Sequence, residues 1–222
     1  MKTAIIACAT LKAELQAVMN LLGCRYPVFW LEAGDHNQPP RRREEILHML
    51  DRCREFDTLL LVMAFCGGAL EGVSSGSSTL VLPRFDDCIS LLLGEEECRS
   101  ALKGHYFLTR GWLEGKDSLA NEYRRSLSRH GEARTKRIFA AMLKNYSCLS
   151  FLDTGVEDAP DIREEIAQMA RTLGLESRTT KGTLRNLSDL ISGNHDPRRF
   201  LVVPPGTFIT REMVHRERSE AE

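Results

Sequence analysis

Three cysteines and one histidine have the residue types and the positions of a candidate metal site. Cys8, His36, Cys66 and Cys88 each lie at, or a few residues beyond, the end of an apolar run that predicts a buried strand. In an open parallel sheet the carboxyl ends of the strands share one edge, and ligands bind there. We therefore expect the four side chains at the same edge, although dozens of residues separate them in sequence.

Thiolates and imidazole are the ligands that tetrahedral Zn²⁺ takes in proteins, so the set predicts a zinc site. Cu(I) or an iron–sulfur species would also suit the thiolates. Each residue has a structural interpretation as well: Cys8 as a small core residue, Cys88 as an ordinary thiol at a helix start, His36 as a helix cap. Cys66 stands beside two glycines in a loop and is the hardest to explain by packing. The cysteine pairs lack the CxxC spacing of a compact zinc module.

A second set of residues is expected to bind substrate. Gly67 and Gly68 follow Cys66 and would let a ligand approach the backbone closely. Arg110 and Trp112 could clamp and stack on an anionic or planar ligand, or form a structural stack at a hinge. Asn145 would line the site from the second half of the chain. The chain has no GxGxxG, GxxxxGK[ST] or GxSxG motif, so nucleotide-phosphate binding and an α/β-hydrolase are not supported.

The elements that must position these residues alternate between strand and helix. Apolar runs at 3–10, 26–31, 57–65 and 79–84 predict strands, and helical periodicity follows the first two of them. This order is typical of a parallel sheet with crossover helices. The predicted fold class is α/β, a Rossmann-like parallel sheet layered by helices.

The second half of the chain continues this alternation more loosely, with strands predicted at 105–109, 147–152 and 199–203. Two organisations stay open. In the first, two similar α/β halves, 1–104 and 105–206, enclose a cleft and are followed by a polar tail, 207–222. In the second, one sheet carries a helical insertion. Residues 74–78, rich in Gly and Ser, predict a flexible stretch.

Composition limits the classes of function. The 222-residue chain has 42% hydrophobic and 27% charged residues and a formal net charge of -1. These values are typical of a globular protein and argue against nucleic acid or an anionic membrane as the main partner. The apolar run near the N-terminus is too short to span a membrane. Seven cysteines without an export signal indicate a reducing, cytoplasmic location. The basic run 41–43, followed by two glutamates, predicts a solvated helix start.

Several short segments resemble the domain of unknown function numbered 1638, in order along nearly the whole chain. They are Ile5-Ile6-Ala7-Cys8, Asp35-His36-Asn37 with Pro40, Phe65-Cys66-Gly67-Gly68, Asp87-Cys88-Ile89-Ser90 with Leu92-Leu93-Gly94, Phe107-Leu108-Thr109-Arg110-Gly111-Trp112, Asp153-Thr154-Gly155 and Pro204-Pro205-Gly206. The recurring cysteine and histidine positions are the most specific part. The chain departs from the pattern at Ala64-Phe65, where a more polar pair such as Tyr-Gly is expected.

The resemblance implies a cytoplasmic protein of anaerobic bacteria or archaea that is associated with corrinoid-dependent methyl transfer. Three hypotheses follow for the same site. An enzyme would use a metal held by thiolates to activate a thiol or methyl acceptor, with a corrinoid protein or a small molecule as partner. A binding module would carry a metal or a corrinoid cofactor. A structural metal would tie two parts of the chain together.

Overall fold

A computed structural model describes residues 1–32, 39–93, 103–156 and 159–215. Its strands are β1 (Thr3–Cys8), β2 (Val28–Leu31), β3 (Thr58–Val62), β4 (Thr79–Pro83), β5 (His105–Leu108), β6 (Cys148–Asp153), β7 (Glu176–Lys181) and β8 (Phe200–Val203). Its α-helices are α1 (Lys12–Leu22), α2 (Pro39–Arg52), α3 (Cys88–Leu92), α4 (Arg110–Glu114), α5 (Leu119–His130), α6 (Glu132–Met142), α7 (Pro160–Leu173), α8 (Arg185–Ser192) and α9 (Arg211–His215).

The chain divides into two compact units. Unit 1 consists of Met1–Leu92 and Leu184–Glu222, and unit 2 consists of Leu93–Thr183. The predicted halves divide the chain between residues 104 and 105, whereas these units divide it after Leu92 and again after Thr183. The physical reason for the second division is β8, which pairs antiparallel with β4 and so returns the end of the chain to the first sheet.

Within the described residues, unit 1 contains a five-stranded sheet in the order β2-β1-β3-β4-β8. The strands β1 to β4 are parallel, as predicted, and the mixed sheet is layered with helices. β1 is almost wholly apolar, and its residues from Ala4 to Cys8 are buried, because helices cover both faces of the sheet. Ile46 of α2 and Val214 of α9 pack with Ile6 in a core that lies on one face.

Unit 2 contains a parallel sheet of three described strands in the order β5-β6-β7. Its core joins Leu149 and Phe151 of β6 to Phe139 of α6 and Ile166 of α7. The α/β class predicted from the sequence is therefore confirmed. β7, with the sequence ESRTTK, was not predicted, because five of its six residues are exposed and it lacks an apolar pattern. Its position comes from backbone pairing with β6.

The structure differs in part from three expectations about polar segments. Ser75 and Ser78 are buried in a stretch that was expected to be flexible, and their hydroxyls donate to the carbonyls of Pro204 and Phe56 at 2.7 Å. Arg42 of the basic run is 3% exposed, so the start of α2 is not simply a solvated helix end. Residues 207–215, expected in a polar tail, include the fully buried Ile209 and the helix α9.

None of the helices within the described ranges combines the length and the apolar content that crossing a membrane requires.

Candidate functional site

The strand order of unit 1 creates a switch point between β1 and β3. The chain passes from β1 outward to β2 and then back across β1 to β3, so the loops after β1 and β3 lead away in opposite directions. Crevices at such points are where open α/β sheets bind ligands. Cys8 is the last residue of β1, and Cys66 lies four residues beyond the end of β3. The topology thus delivers two of the predicted ligands to this edge.

Backbone hydrogen bonds bring the third cysteine to the same place. The N–H groups of Phe65 and Cys66 donate to the carbonyls of Phe85 and Asp86 at 2.9 and 3.0 Å, which ties the loop after β3 to the loop after β4. Cys88 begins α3 two residues later, and Asp87 accepts from the Ser90 N–H at 2.6 Å to cap that helix.

The thiol of Cys88 is in hydrogen-bond contact with the thiols of both Cys66 and Cys8. Cys8 also contacts the Thr10 hydroxyl, with 3.0 Å between Sγ and Oγ1. Cys8 and Cys88 are each 2% exposed, and Cys66 is half-buried, so the cluster opens toward solvent at Cys66. Three of the four predicted ligands are therefore neighbours.

The surroundings of Cys88 favour its protonated form. Its hydrogen bond to Cys66 raises the pKa of the Cys88 thiol well above its usual range, and contact with Cys8 works in the opposite direction. Burial raises the pKa of Cys88 further, and the backbone N–H of Ala64 lowers it. The net result is a buried thiol that keeps its proton at neutral pH unless a cation or a chemical reaction removes it.

The backbone at Cys66 has an uncommon conformation. Cys66 has φ +47°, and within the described residues it is the sole non-glycine residue with positive φ. Gly67 at φ +66° and Gly68 at φ +94° continue this left-handed path. A side chain in this region costs about 1–2 kcal/mol, so the loop holds Cys66 against a local preference. Sequence reasoning found this loop through its two glycines.

Residues of α9, which the sequence analysis did not connect with the site, surround Phe65. The guanidinium of Arg211 lies 5.9 Å from the centre of the Phe65 ring, and the His215 ring packs edge-on at 6.1 Å. Arg211 Nε is 3.6 Å from Glu71 Oε2, and His215 Nε2 is 3.6 Å from Asp86 Oδ1. Phe65, where the resemblance led us to expect a more polar residue, therefore packs against α9 beside Cys66. The one sequence signal for this contact is the pair of apolar residues Ile209 and Val214.

His36 lies outside the described residues, but described residues before and after it in the sequence lie near Cys8 and Gly67. Leu31, which precedes His36, pairs with Cys8 in the sheet. Pro39, which follows His36, has its Cγ 3.7 Å from the position a Cβ would take on Gly67. Arg42 donates to the Glu32 carbonyl at 2.8 Å and to Glu45 at 2.7 Å.

Across the described ranges, no group of three or more His, Cys, Asp or Glu side chains is spaced to hold a metal ion as it stands. Instead, the Cys88 thiol is in hydrogen-bond contact with the thiols of Cys66 and Cys8. Among the other cysteines, Cys53 and Cys148 are buried core residues and Cys24 is partly exposed, as expected of structural cysteines. Cys98 lies outside the described residues.

The remaining predicted site residues belong to unit 2. Arg110 begins α4, where its guanidinium is 3.5 Å from Glu114 and 3.7 Å from Asp161. Trp112 donates its backbone N–H to the Thr109 hydroxyl at 3.4 Å, and its side chain packs on the core of unit 2. Asn145 precedes β6 and therefore lies at the opposite edge of that sheet, near Gly104. Unit 2 does not gather Arg110, Trp112 and Asn145 at one edge.

Comparison with known proteins identifies a family. No curated protein and no solved structure matches the chain. The family model described as "Protein of unknown function (DUF1638)" matches residues 30–191 of the 222. The matched region includes His36, Cys66 and Cys88, whereas Cys8 precedes it. Because the match covers well over half of the sequence, the chain belongs to the DUF1638 family.

Proposed function

We propose that Cys8, Cys66 and Cys88 bind a thiophilic metal ion, Zn²⁺ by preference, at the switch point of unit 1. The observation that carries the proposal is the contact of the Cys88 thiol with both other thiols. The three side chains would have to rearrange so that each sulfur reaches the Zn–S distance of about 2.3 Å around one ion. Binding would replace the thiol protons, because the thiolate is the metal ligand.

The chemistry proposed for this site is activation of a thiol or methyl acceptor. A metal held by thiolates lowers the pKa of a thiol bound in its open position, which makes that thiol nucleophilic at neutral pH. Cys8 and Cys88 would hold the ion from the buried side, and Cys66 with Gly67 and Gly68 would face the incoming small molecule. The family resemblance implies methyl transfer with a corrinoid protein as partner, in a reducing compartment such as the cytoplasm.

A carrier protein for a metal or a corrinoid cofactor is the second candidate, and the position of the chain around His36 favours it. Leu31 pairs with Cys8, and Pro39 approaches Gly67, so described residues before and after His36 in the sequence lie near two of the thiol-bearing loops. Two residues separate His36 from Pro39, so their Cα atoms are at most about 11 Å apart. With His36 as fourth ligand the coordination shell would be closed, and a closed shell leaves no position for substrate.

Metal content of the purified protein tests the proposal. The chain is purified without oxygen, loaded with Zn²⁺, dialysed and measured for zinc per chain, with Cys66→Ser and Cys88→Ser beside the wild type. Both variants are expected to lose at least ten-fold in zinc affinity, whereas Cys24→Ser, a partly exposed cysteine outside the cluster, should bind as the wild type does. Unchanged zinc affinity in both site variants would contradict the proposal.

X-ray absorption of the zinc-loaded protein separates the two candidates. Three sulfur ligands with one exchangeable light ligand favour the enzyme. Three sulfur ligands with an imidazole that disappears in His36→Ala favour the carrier.

A further inference from the structure

The sulfur atoms of Cys66 and Cys88 are neighbours because of how two loops are joined. The hydrogen bond from the Cys66 N–H to the Asp86 carbonyl, 3.0 Å long, brings the two cysteines' backbones together. Their thiols then meet in direct contact. Two thiols that already touch can be joined by a disulfide without refolding of the loops that carry them.

The three thiols differ in solvent exposure, and we expect the most exposed thiol to react first. Cys66 is half-buried, whereas Cys8 and Cys88 are each 2% exposed. Cys8 lies at the end of a central strand and has the Thr10 hydroxyl as a further partner at 3.0 Å. Cys66, Gly67 and Gly68 are three successive residues with positive φ. The two glycines have no side chains that could cover the Cys66 sulfur.

We infer that Cys66 and Cys88 form a reversible disulfide when the metal-free protein meets a hydroperoxide. The Cys66 thiolate attacks one peroxide oxygen, breaks the O–O bond and becomes a sulfenic acid, while the other oxygen leaves as water or an alcohol. The Cys88 sulfur then attacks the Cys66 sulfur. The S–S bond forms, the S–O bond breaks, and the oxygen leaves as water with the Cys88 proton. Two thiols lose two electrons in total, and the hydroperoxide gains them.

The disulfide would regulate the site of the proposed function. It occupies two of the three proposed ligands, so the oxidised protein cannot hold the metal through them, and bound metal in turn protects the thiols. This regulatory consequence rests on the proposed metal site. The disulfide itself does not, because it is expected in metal-free protein.

Disulfide mapping of the full chain tests the inference. The protein is reduced, freed of metal with a chelator, treated with one equivalent of hydrogen peroxide, alkylated and digested with a protease that cleaves after glutamate. Cleavage after Glu14, Glu55, Glu71 and Glu95 places Cys8, Cys66 and Cys88 on separate peptides and separates Cys88 from Cys98. We expect the protein to lose two of its seven thiols, a crosslink between peptides 56–71 and 72–95, and recovery of both thiols with dithiothreitol.

A crosslink from Cys88 to Cys8, a crosslink between two chains, or Cys66 oxidised to sulfinic acid without a partner would overturn the inference. Mapping of the wild type needs no variant, so a folding defect cannot obscure the result. Cys24→Ser should give the same crosslink at the same rate. If the crosslink forms in a protein that binds no zinc, the proposed metal site is contradicted and the disulfide is supported. If the protein binds zinc but forms no crosslink, the metal site is supported and the disulfide is contradicted.

Discussion

Both units contain an α/β layer with parallel strands, yet among the described residues a cluster of thiols lies at the carboxyl edge of unit 1 alone. In unit 1 the order β2-β1-β3 reverses direction, and the loops after β1 and β3 leave a position between them that the three thiols occupy. In unit 2 the order β5-β6-β7 follows the chain without reversal. Strand order, more than strand composition, therefore decides where these sheets gather side chains.

The residues at the carboxyl edge of the unit 2 sheet form hydrogen bonds and ion pairs with neighbouring residues of the same unit. Asp153 closes its own turn by accepting from the Gly155 N–H at 3.0 Å, and Thr109 caps α4. Arg110 has two acidic neighbours and is one-third exposed. In unit 1 the edge also carries three thiols: Cys8 and Cys88 are buried, Cys66 is half-buried, and the Cys88 thiol contacts both others. The described edge groups of unit 2 hold local structure, whereas the edge of unit 1 adds a cluster of thiols.

The largest expected effect concerns the arginine that fixes α9 beside the thiol loop. Arg84 is 7% exposed, and it donates to the carbonyls of Phe200 at 3.2 Å, Val214 at 3.4 Å and Met213. Arg84→Met removes these bonds and leaves the carbonyls poorly satisfied. The free energy of unfolding of unit 1 is expected to fall by about 3 kcal/mol, roughly 1 kcal/mol for each bond.

Urea unfolding measures this change, and the two tryptophans separate the units. Trp30 belongs to unit 1 and Trp112 to unit 2, so a Trp112→Phe background leaves Trp30 as the reporter for unit 1. The matched control is Arg125→Met in unit 2, an exposed arginine that is 3.0 Å from Asp117, read through Trp112 in a Trp30→Phe background. Arg125→Met should lower the free energy of unfolding of unit 2 by about 0.5 kcal/mol. Equal losses of unfolding free energy in the two variants would contradict the expectation that the buried arginine of unit 1 contributes more than the exposed arginine of unit 2.

Much of the fold could be predicted because the buried strands consist of continuous apolar residues. The runs at β1, β3 and β4 predicted the strands, and parallel pairing then placed Cys8, Cys66 and Cys88 at one edge. β8 was also predicted as a strand, but its partner was not. Its four residues contain no information about whether they pair with β4 or extend a second sheet, because that choice depends on residues more than a hundred positions away.

The elements that sequence reasoning missed are stabilised by backbone pairing or by single polar contacts. β7 forms through its pairing with β6 although its side chains are exposed. α9 is held by the guanidinium of Arg84, a contact between residues 129 and 130 positions apart. Arg42 is buried because Glu45 and the Glu32 carbonyl compensate its charge. Hydrophobic periodicity carries no signal for such contacts, since each depends on one pair of residues.

A smaller effect is expected from closing the space above Gly68. A Cβ on this residue would lie 3.1 Å from Nη2 of Arg211, at φ +94°. Gly68→Ala should therefore strain the backbone and displace Arg211 from the Phe65 ring. We expect a loss of about 1.5 kcal/mol in the free energy of unfolding of unit 1, measured through Trp30.

The matched control for this substitution is Gly23→Ala at the end of α1. Gly23 also has positive φ, +61°, but nothing lies within 4 Å of its Cβ position, so the substitution adds backbone strain alone. It should cost about 1 kcal/mol. A Gly68→Ala loss no larger than that of Gly23→Ala would mean that Arg211 moves away without cost, and α9 would then be a weaker support of the thiol edge.

The smallest expected effect separates the contribution of the Cys66 backbone conformation from the contribution of its sulfur. Cys66→Ala and Cys66→Gly both remove the thiol, but glycine alone adopts φ +47° without a steric penalty. Cys66→Gly is expected to unfold with a free energy about 1 kcal/mol higher than that of Cys66→Ala, measured by urea unfolding through Trp30. The same pair of substitutions at Cys148, a buried cysteine within β6, should reverse the order, because glycine weakens a strand. If alanine were the more stable residue at both positions, the loop would carry no strain. The left-handed conformation would then carry no energetic cost for a cysteine at position 66, and the unit 1 edge would differ from the unit 2 edge in its thiols alone.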